Sequence, residues 1–297
     1  MRPGRGAAAV FVAAVAALAL ACGAPEPVGE LRLEPAPTQP IELPYPRFVP
    51  LRLAWTPSAE LAGLDGTLYV FVHLLDEPGN VLRTFDHPFP QPWRPGEPVT
   101  YELRLYQSAL GAALPAGDYP LSLGLYDGQG HRWPLVTAGK EVDRAEYAVA
   151  TVRVPTEIDT TPRFRFSSNW QQPETGGDRQ ILSRRSLAGE GTIRLDDLPA
   201  AAELWLGLRL PDPREVGGTL VLEPGASSPM VQVTTSCGPA AASLSGMGRH
   251  DVRLTLTPAP GEGCDLQLAP SFRVRAGDGY ERSVVLEILA WAPPAPR

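Results

Sequence analysis

Thr67-Leu68-Tyr69-Val70-Phe71-Val72-His73-Leu74-Leu75 reads as a β-strand. Its β-branched and aromatic residues suit a pleated, half-buried surface, and its side chains alternate between two faces. Tyr69, Phe71 and His73 share one of them. The turn formers Asp65-Gly66 precede it and Pro78-Gly79-Asn80 follow it. Leu51-Arg52-Leu53-Ala54-Trp55 alternates in the same way. Further strands are read at 80–86, 99–106, 118–126, 131–136 and 147–154, with Asp127-Gly128-Gln129-Gly130 as a hairpin turn. Short strands with turns at near-regular spacing predict a β-sandwich over residues 47–155.

Residues 156–162 are polar and flanked by Pro155 and Pro162, which marks a linker. Beyond it the pattern resumes at 191–195, 203–210, 218–223, 230–236, 251–257, 265–269 and 282–291. Residues 163–297 are therefore expected to form a second sandwich. Helical period is absent from residues 24–297, with room for one helical turn at most between Asp143 and Ala148. The fold class is all-β: two tandem sandwiches, Ig-like or jelly-roll-like.

The N-terminus has a different character. Arg2 and Arg5 precede an uncharged apolar run from Ala7 to Ala21. At about 1.5 Å per helical residue that run is too short for a hydrocarbon core of about 30 Å, and it reads as a signal peptide over residues 1–21. It ends in Ala19-Leu20-Ala21-Cys22-Gly23, which resembles the lipobox of bacterial lipoproteins, with Ala19 where leucine is usual. The resemblance implies a diacylglycerol thioether on Cys22, cleavage before it and acylation of the new amino terminus. The other reading is an ordinary cleaved signal with Cys22 as bystander. A lipidated chain would be exported and anchored: at the outer membrane or periplasmic face of a Gram-negative cell, otherwise at the outer face of the cell membrane. Residues 22–46 carry seven prolines and read as a tether, in which Leu31-Arg32-Leu33 is the one candidate edge strand.

The net charge of −7 becomes −9 once Arg2 and Arg5 leave with the leader. With no long basic run, nucleic acid is excluded as a natural partner. Cys237 and Cys264 remain after Cys22 is assigned, and in an oxidising compartment they read as a disulfide. The alternative is two buried thiols.

Two sets of phrases carry a further resemblance. The first half has Tyr69 to Leu74, Trp93-Arg94-Pro95-Gly96-Glu97, Leu114-Pro115-Ala116-Gly117-Asp118-Tyr119 and Leu123-Gly124-Leu125-Tyr126-Asp127. The second has Trp170 with Glu174 and Arg179, then Pro270-Ser271-Phe272, Gly277-Asp278 and Arg282. These are similar to β-sandwich regions of bacterial proteins that also contain membrane glycosyltransferases of the GT-C type. The resemblance implies a sandwich fold and cell-surface glycans as a ligand class, and it transfers no catalytic residue.

The catalytic motifs His-Glu-x-x-His, Gly-x-Ser-x-Gly, Cys-x-x-Cys and the phosphate-binding Gly-x-x-x-x-Gly-Lys-Ser/Thr are all missing from the chain. A non-catalytic accessory protein without cofactor or metal is expected, binding glycan or assisting envelope proteins. The alternatives are an enzyme acting on polysaccharide and a structural spacer. Trp170, Glu174, Arg179 and Trp93 are the candidate ligand-binding residues, because an aromatic face and planar polar groups suit a sugar. The competing reading puts Trp170 in the core and Glu174 with Arg179 in an ion pair. His73 reads as a satisfied, partly buried histidine rather than a metal ligand.

Overall fold

The computed structural model describes residues 26–294, apart from 65, 66, 78, 158–161, 177–179, 200 and 260. The leader, Cys22, the turn at Asp65-Gly66, most of the linker and Arg179 lie outside the described residues. Among the described residues the chain is almost wholly β.

Leu68–Leu75 lies at the centre of the first half, between Gly117–Asp127 and Val81–Thr84. Its alternation is realised as expected. Val70, Val72 and Leu74 are fully buried in the sandwich core, beside Leu121, Leu123 and Leu125 of the neighbouring strand. Opposite this eight-stranded sheet stands a three-stranded one: Gly29–Leu33, Phe48–Pro57 and Val99–Tyr106. It supplies Leu31, Leu53, Trp55 and Leu105 to the same core.

The proline-rich stretch is more than a tether, which corrects the expectation for residues 28–46. Gly29–Leu33 pairs along its whole length with Leu53–Pro57, and Ile41–Glu42 pairs in parallel with Val152–Arg153. Val28, Leu31, Leu33 and Leu43 are buried. The prolines do not prevent this, because Pro35, Pro37 and Pro40 fall in the connection between the two strands and Pro44 and Pro46 follow the second. A second correction concerns Asp143–Ala148. There Ala145 takes a positive φ of 51° between two antiparallel strands, so the segment is a hairpin turn. The short helix lies instead at Ala59–Ala62.

The second half consists of two five-stranded sheets and a small three-stranded one. One large sheet is ordered Arg163–Phe166, Gly191–Asp196, Cys264–Pro270, Met230–Thr235 and Ala241–Ser245. The other is ordered Glu174–Thr175, Ser183–Leu187, Val284–Ala292, Ala202–Leu210 and Gly248–Leu256. Cys237 and Cys264 form the expected disulfide, with their Cα atoms 5.5 Å apart. A cross-link closing a loop of this size stabilises a fold by about 3–4 kcal/mol on the chain-entropy model.

Val284–Ala292 is buried on both faces along its whole length. Leu286, Leu289 and Trp291 belong to the second core, whereas Ile288, Ala290 and Ala292 pack into the first. Trp205, on the adjacent strand, also reaches the first core, edge-on to Phe48 at 5.8 Å and to Tyr106 at 5.0 Å. Arg47 lies over the Trp291 ring at 4.5 Å. Backbone bonds cross the same seam, from Ala109 N to Leu289 O and from Trp291 N to Pro46 O. Deleting a buried aromatic ring costs about 3–5 kcal/mol, so Trp205→Ala is expected to lower urea stability by that amount. A loss below about 1 kcal/mol would contradict a structural role for the seam.

Candidate functional site

The residues singled out from sequence do not converge. Trp170 is buried in the second core, edge-on to Phe166 at 5.6 Å, so neither face is open to a sugar. That corrects its reading as a ligand platform. The polar residues after it suggested an exposed loop, yet the ring itself turns inward beneath Arg163–Phe166. Glu174 pairs with Arg184 at 3.2 Å across a short hairpin. Trp93 is half-buried, edge-on to Phe89 at 6.0 Å against the first core. Arg179 is outside the described residues.

A buried polar network does form on the face of Leu68–Leu75 that points away from the core. His73 Nδ1 lies 3.1 Å from Glu146 Oε1, and Nε2 lies 3.5 Å from Asp86 Oδ1. Ser122 Oγ donates to Glu146 Oε1 at 2.6 Å, and Arg132 Nη1 donates to Glu146 Oε2 at 3.1 Å. Phe71 stacks on His73 at 4.9 Å and lies over Gly124, where a Cβ would collide with its ring. Burial pushes His73 down, but the hydrogen bonds and charges of Asp86 and Glu146 outweigh it and leave the imidazole raised. Burial pushes Glu146 up, yet His73, Ser122 and Arg132 bring it below its ordinary value. A serine, a histidine and a carboxylate meet here, but not as a nucleophile with its base. The Ser122 hydroxyl is spent on Glu146, and Ser122 has no exposure to a substrate.

The open site lies at the seam. A groove of about 350 Å³ runs between Asp86–Pro88 and Tyr101–Arg104 of the first half and Trp205, Arg249 and Asp251 of the second. Strand alternation aims Glu102 and Arg104 into it from one face of Val99–Tyr106. Tyr101 Oη donates to His87 Nε2 at 2.6 Å, and His87 Nδ1 donates to Phe85 O at 3.0 Å. Burial lowers the basicity of His87 and raises Tyr101, so both are neutral near pH 7. Arg104 Nη2 donates to Glu102 Oε1 at 2.7 Å, and Trp205 Nε1 donates to Asp251 Oδ1 at 3.2 Å. Arg249 lies 3.8 Å from Asp251. The groove thus offers two phenol rings, three carboxylates and two guanidinium groups, all held by the fold. No local motif announces it, because its residues come from four strands far apart in sequence. Among the described residues no three His, Cys, Asp or Glu side chains gather as metal ligands.

No family model and no curated protein matches this chain. Among solved structures, TmCBM61 in complex with β-1,4-galactotriose is 7% identical, covers 44% of this chain and 89% of its own, and has a TM-score of 0.25. The mosquito-larvicidal Cry4Aa toxin from Bacillus thuringiensis is 8% identical, with coverage of 82% and 44% and a TM-score of 0.28. The M60 catalytic domain with CBM51-1 and CBM51-2 of Clostridium perfringens ZmpB is 11% identical, with coverage of 88% and 31% and a TM-score of 0.28. This chain spans less than half the length of the last two. Scores this low assign neither topology nor ligand to it.

The buried network carries a pH signature. His73 sits above its ordinary value of 6.5, so its contribution is complete below pH 6.5 and is lost as pH rises through the raised value. Glu146 sits below its ordinary 4.5, so its contribution is complete above pH 4.5 and is lost as pH falls through the lowered value. His87, depressed by burial, runs against His73, so the comparison must be made with a variant. The stability difference between wild type and His73→Gln is expected to peak between pH 4.5 and 6.5 and to shrink toward pH 9. Thermal denaturation across that range checks it; a difference independent of pH would remove the charged pair from the account.

Proposed function

We propose that this chain is an exported, lipid-anchored, non-catalytic protein that presents the seam groove to a glycan outside the cytoplasm. The observation that carries the reading is the composition of the groove. Asp86, Glu102, Arg104, Gln180, Arg249 and Asp251 offer planar donors and acceptors for hydroxyls, beside the exposed part of the partly buried Tyr101 ring. The carboxylates are already engaged: Glu102 with Arg104, Asp251 with Trp205, and Asp86 with the backbone of Val72 and the His73 ring. That favours recognition over hydrolysis, which needs a free acid and a free base or nucleophile at a fixed separation. The apolar N-terminal run and the lipobox-like Cys22 support a membrane location, where two or more acyl chains would hold the protein stably.

Two experiments test this. Cys22→Ser is expected to abolish incorporation of labelled palmitate in a bacterial host and to move the chain from the membrane to the aqueous fraction. An unchanged distribution would argue for a simple cleaved signal. For the groove, a glycan array probed with the full chain in detergent should return bound sugars. Tyr101→Ala and Arg104→Ala should each weaken that binding at least about ten-fold, roughly 1.4 kcal/mol. An array with no bound glycan would leave a spacer or an envelope-protein partner as the better reading.

A further inference from the structure

A second cleft, of about 360 Å³, opens on the seam and has a different chemistry. Tyr45, Pro46, Ala109 and Leu110 form its wall in the first half, and Pro162, Phe164 and Phe166 form it in the second. Its charged lining consists of Arg163 and Arg185, with no carboxylate among them.

The two arginines are not equivalent. Arg163 is largely exposed and already paired with Asp197 at 2.6 Å. Arg185 is half-buried, its guanidinium lying over the Phe166 ring at 4.3 Å. Its Nη1 donates to Gln171 O at 3.2 Å, and among the described residues it makes no ion pair with a carboxylate. Burial alone acts on Arg185, lowering its basicity with no counter-charge to offset it. A guanidinium has five N–H donors, and among the described residues Arg185 spends one on a carbonyl, which leaves donors beside the aromatic wall for an anion. The Tyr45 ring is held in place, because its hydroxyl donates to Gly111 O at 3.1 Å. A flat aromatic and proline wall beside a planar cation fits a ligand with an apolar face and a carboxylate, which a guanidinium can take in bidentate fashion. The volume admits roughly one or two sugar rings.

We infer that this cleft binds the carboxylate of a hexuronic acid residue, with Arg185 as the anion ligand and Tyr45 and Phe164 as the wall for the pyranose ring. The choice of a sugar acid rests on the glycan reading above, whereas the anion site itself rests on Arg185.

Isothermal titration of the full chain in detergent with galacturonic and glucuronic acid disaccharides tests it, using the matching neutral disaccharides as controls. The acidic sugars should bind at least about ten-fold more tightly than the neutral ones. Arg185→Gln should remove that preference, and Arg185→Lys, which keeps the charge, should restore part of it. Circular dichroism would confirm that both variants fold. Arg153→Ala, a surface variant that lines neither groove, should leave acidic-sugar binding unchanged. Failure of the acidic disaccharides to bind, equal binding of the neutral ones, an equal loss through Arg153→Ala, or tighter binding of an acetylated dipeptide would each overturn the proposal. If neutral glycans still bind through Tyr101 while acids do not, this cleft alone is disproved. If no sugar binds at either place, the glycan reading falls with it.

Discussion

One strand constrains the whole molecule. Val284–Ala292 has no solvent face, because each of its two sides completes a different hydrophobic core. A strand in this position must be apolar almost throughout, and Val-Val-Leu-Glu-Ile-Leu-Ala-Trp-Ala is. The exception is Glu287, which falls at a register shift opposite Gly207 and Leu208. Its Oε1 accepts from Arg209 Nε at 2.6 Å, while Oε2 has no hydrogen-bond partner among the described residues. A buried carboxylate held by one arginine adds little net stability, but removing the arginine would leave the charge stranded. Two sandwiches that share a strand's worth of core cannot move as beads on a string. The grooves between them are lined by residues that flank both cores.

The proposed binding at the seam draws on this shared packing. Each groove is walled by residues from both halves: strand residues for the most part in the first, and in the second the turns at Tyr45-Pro46 and Ala109-Leu110 facing the strand Arg163–Phe166. Recognition gains from preorganised side chains, since little conformational entropy is lost when the ligand arrives. The polar groups split by chemistry. One groove mixes carboxylates with guanidinium groups already in contact with them; the other holds a half-buried cation beside aromatic rings. The buried cluster around His73 lies on the outer face of the first sandwich, where Glu146 ties together three other side chains, and it meets the first groove through Asp86.

Strands were legible where apolar residues alternate with polar ones or form short runs between turn signals, whether the second face meets water or is buried as well. Val99–Tyr106 and the central parts of Leu68–Leu75, Gly117–Asp127, Ala202–Leu210 and Cys264–Pro270 could be read from alternation and flanking turns. Arg163–Phe166 and Ser183–Leu187 were harder, because arginines interrupt their apolar pattern. The edge strand expected at Leu31-Arg32-Leu33 is realised as Gly29–Leu33 with both leucines buried, whereas the proline density around it hid the entry of Val28 and Leu43 into the core. Composition averaged over a segment hides a short strand that contains no proline itself. Trp170 misled for a related reason: its neighbours are polar, but the direction of one side chain depends on the strand it packs beneath.

The all-β class and the cysteine pair available for a disulfide followed from the sequence alone, because period-two patterning and a count of cysteines are local or additive properties. The entry of Val28–Leu43 into the fold, the sharing of Val284–Ala292 between two cores, and the meeting of Tyr101 and Arg104 with Asp251 were decided only in three dimensions. Each depends on which sheets face one another and in what register. No single stretch of chain carries that information, since the free energy that selects it comes from burying surfaces contributed by residues more than a hundred positions apart.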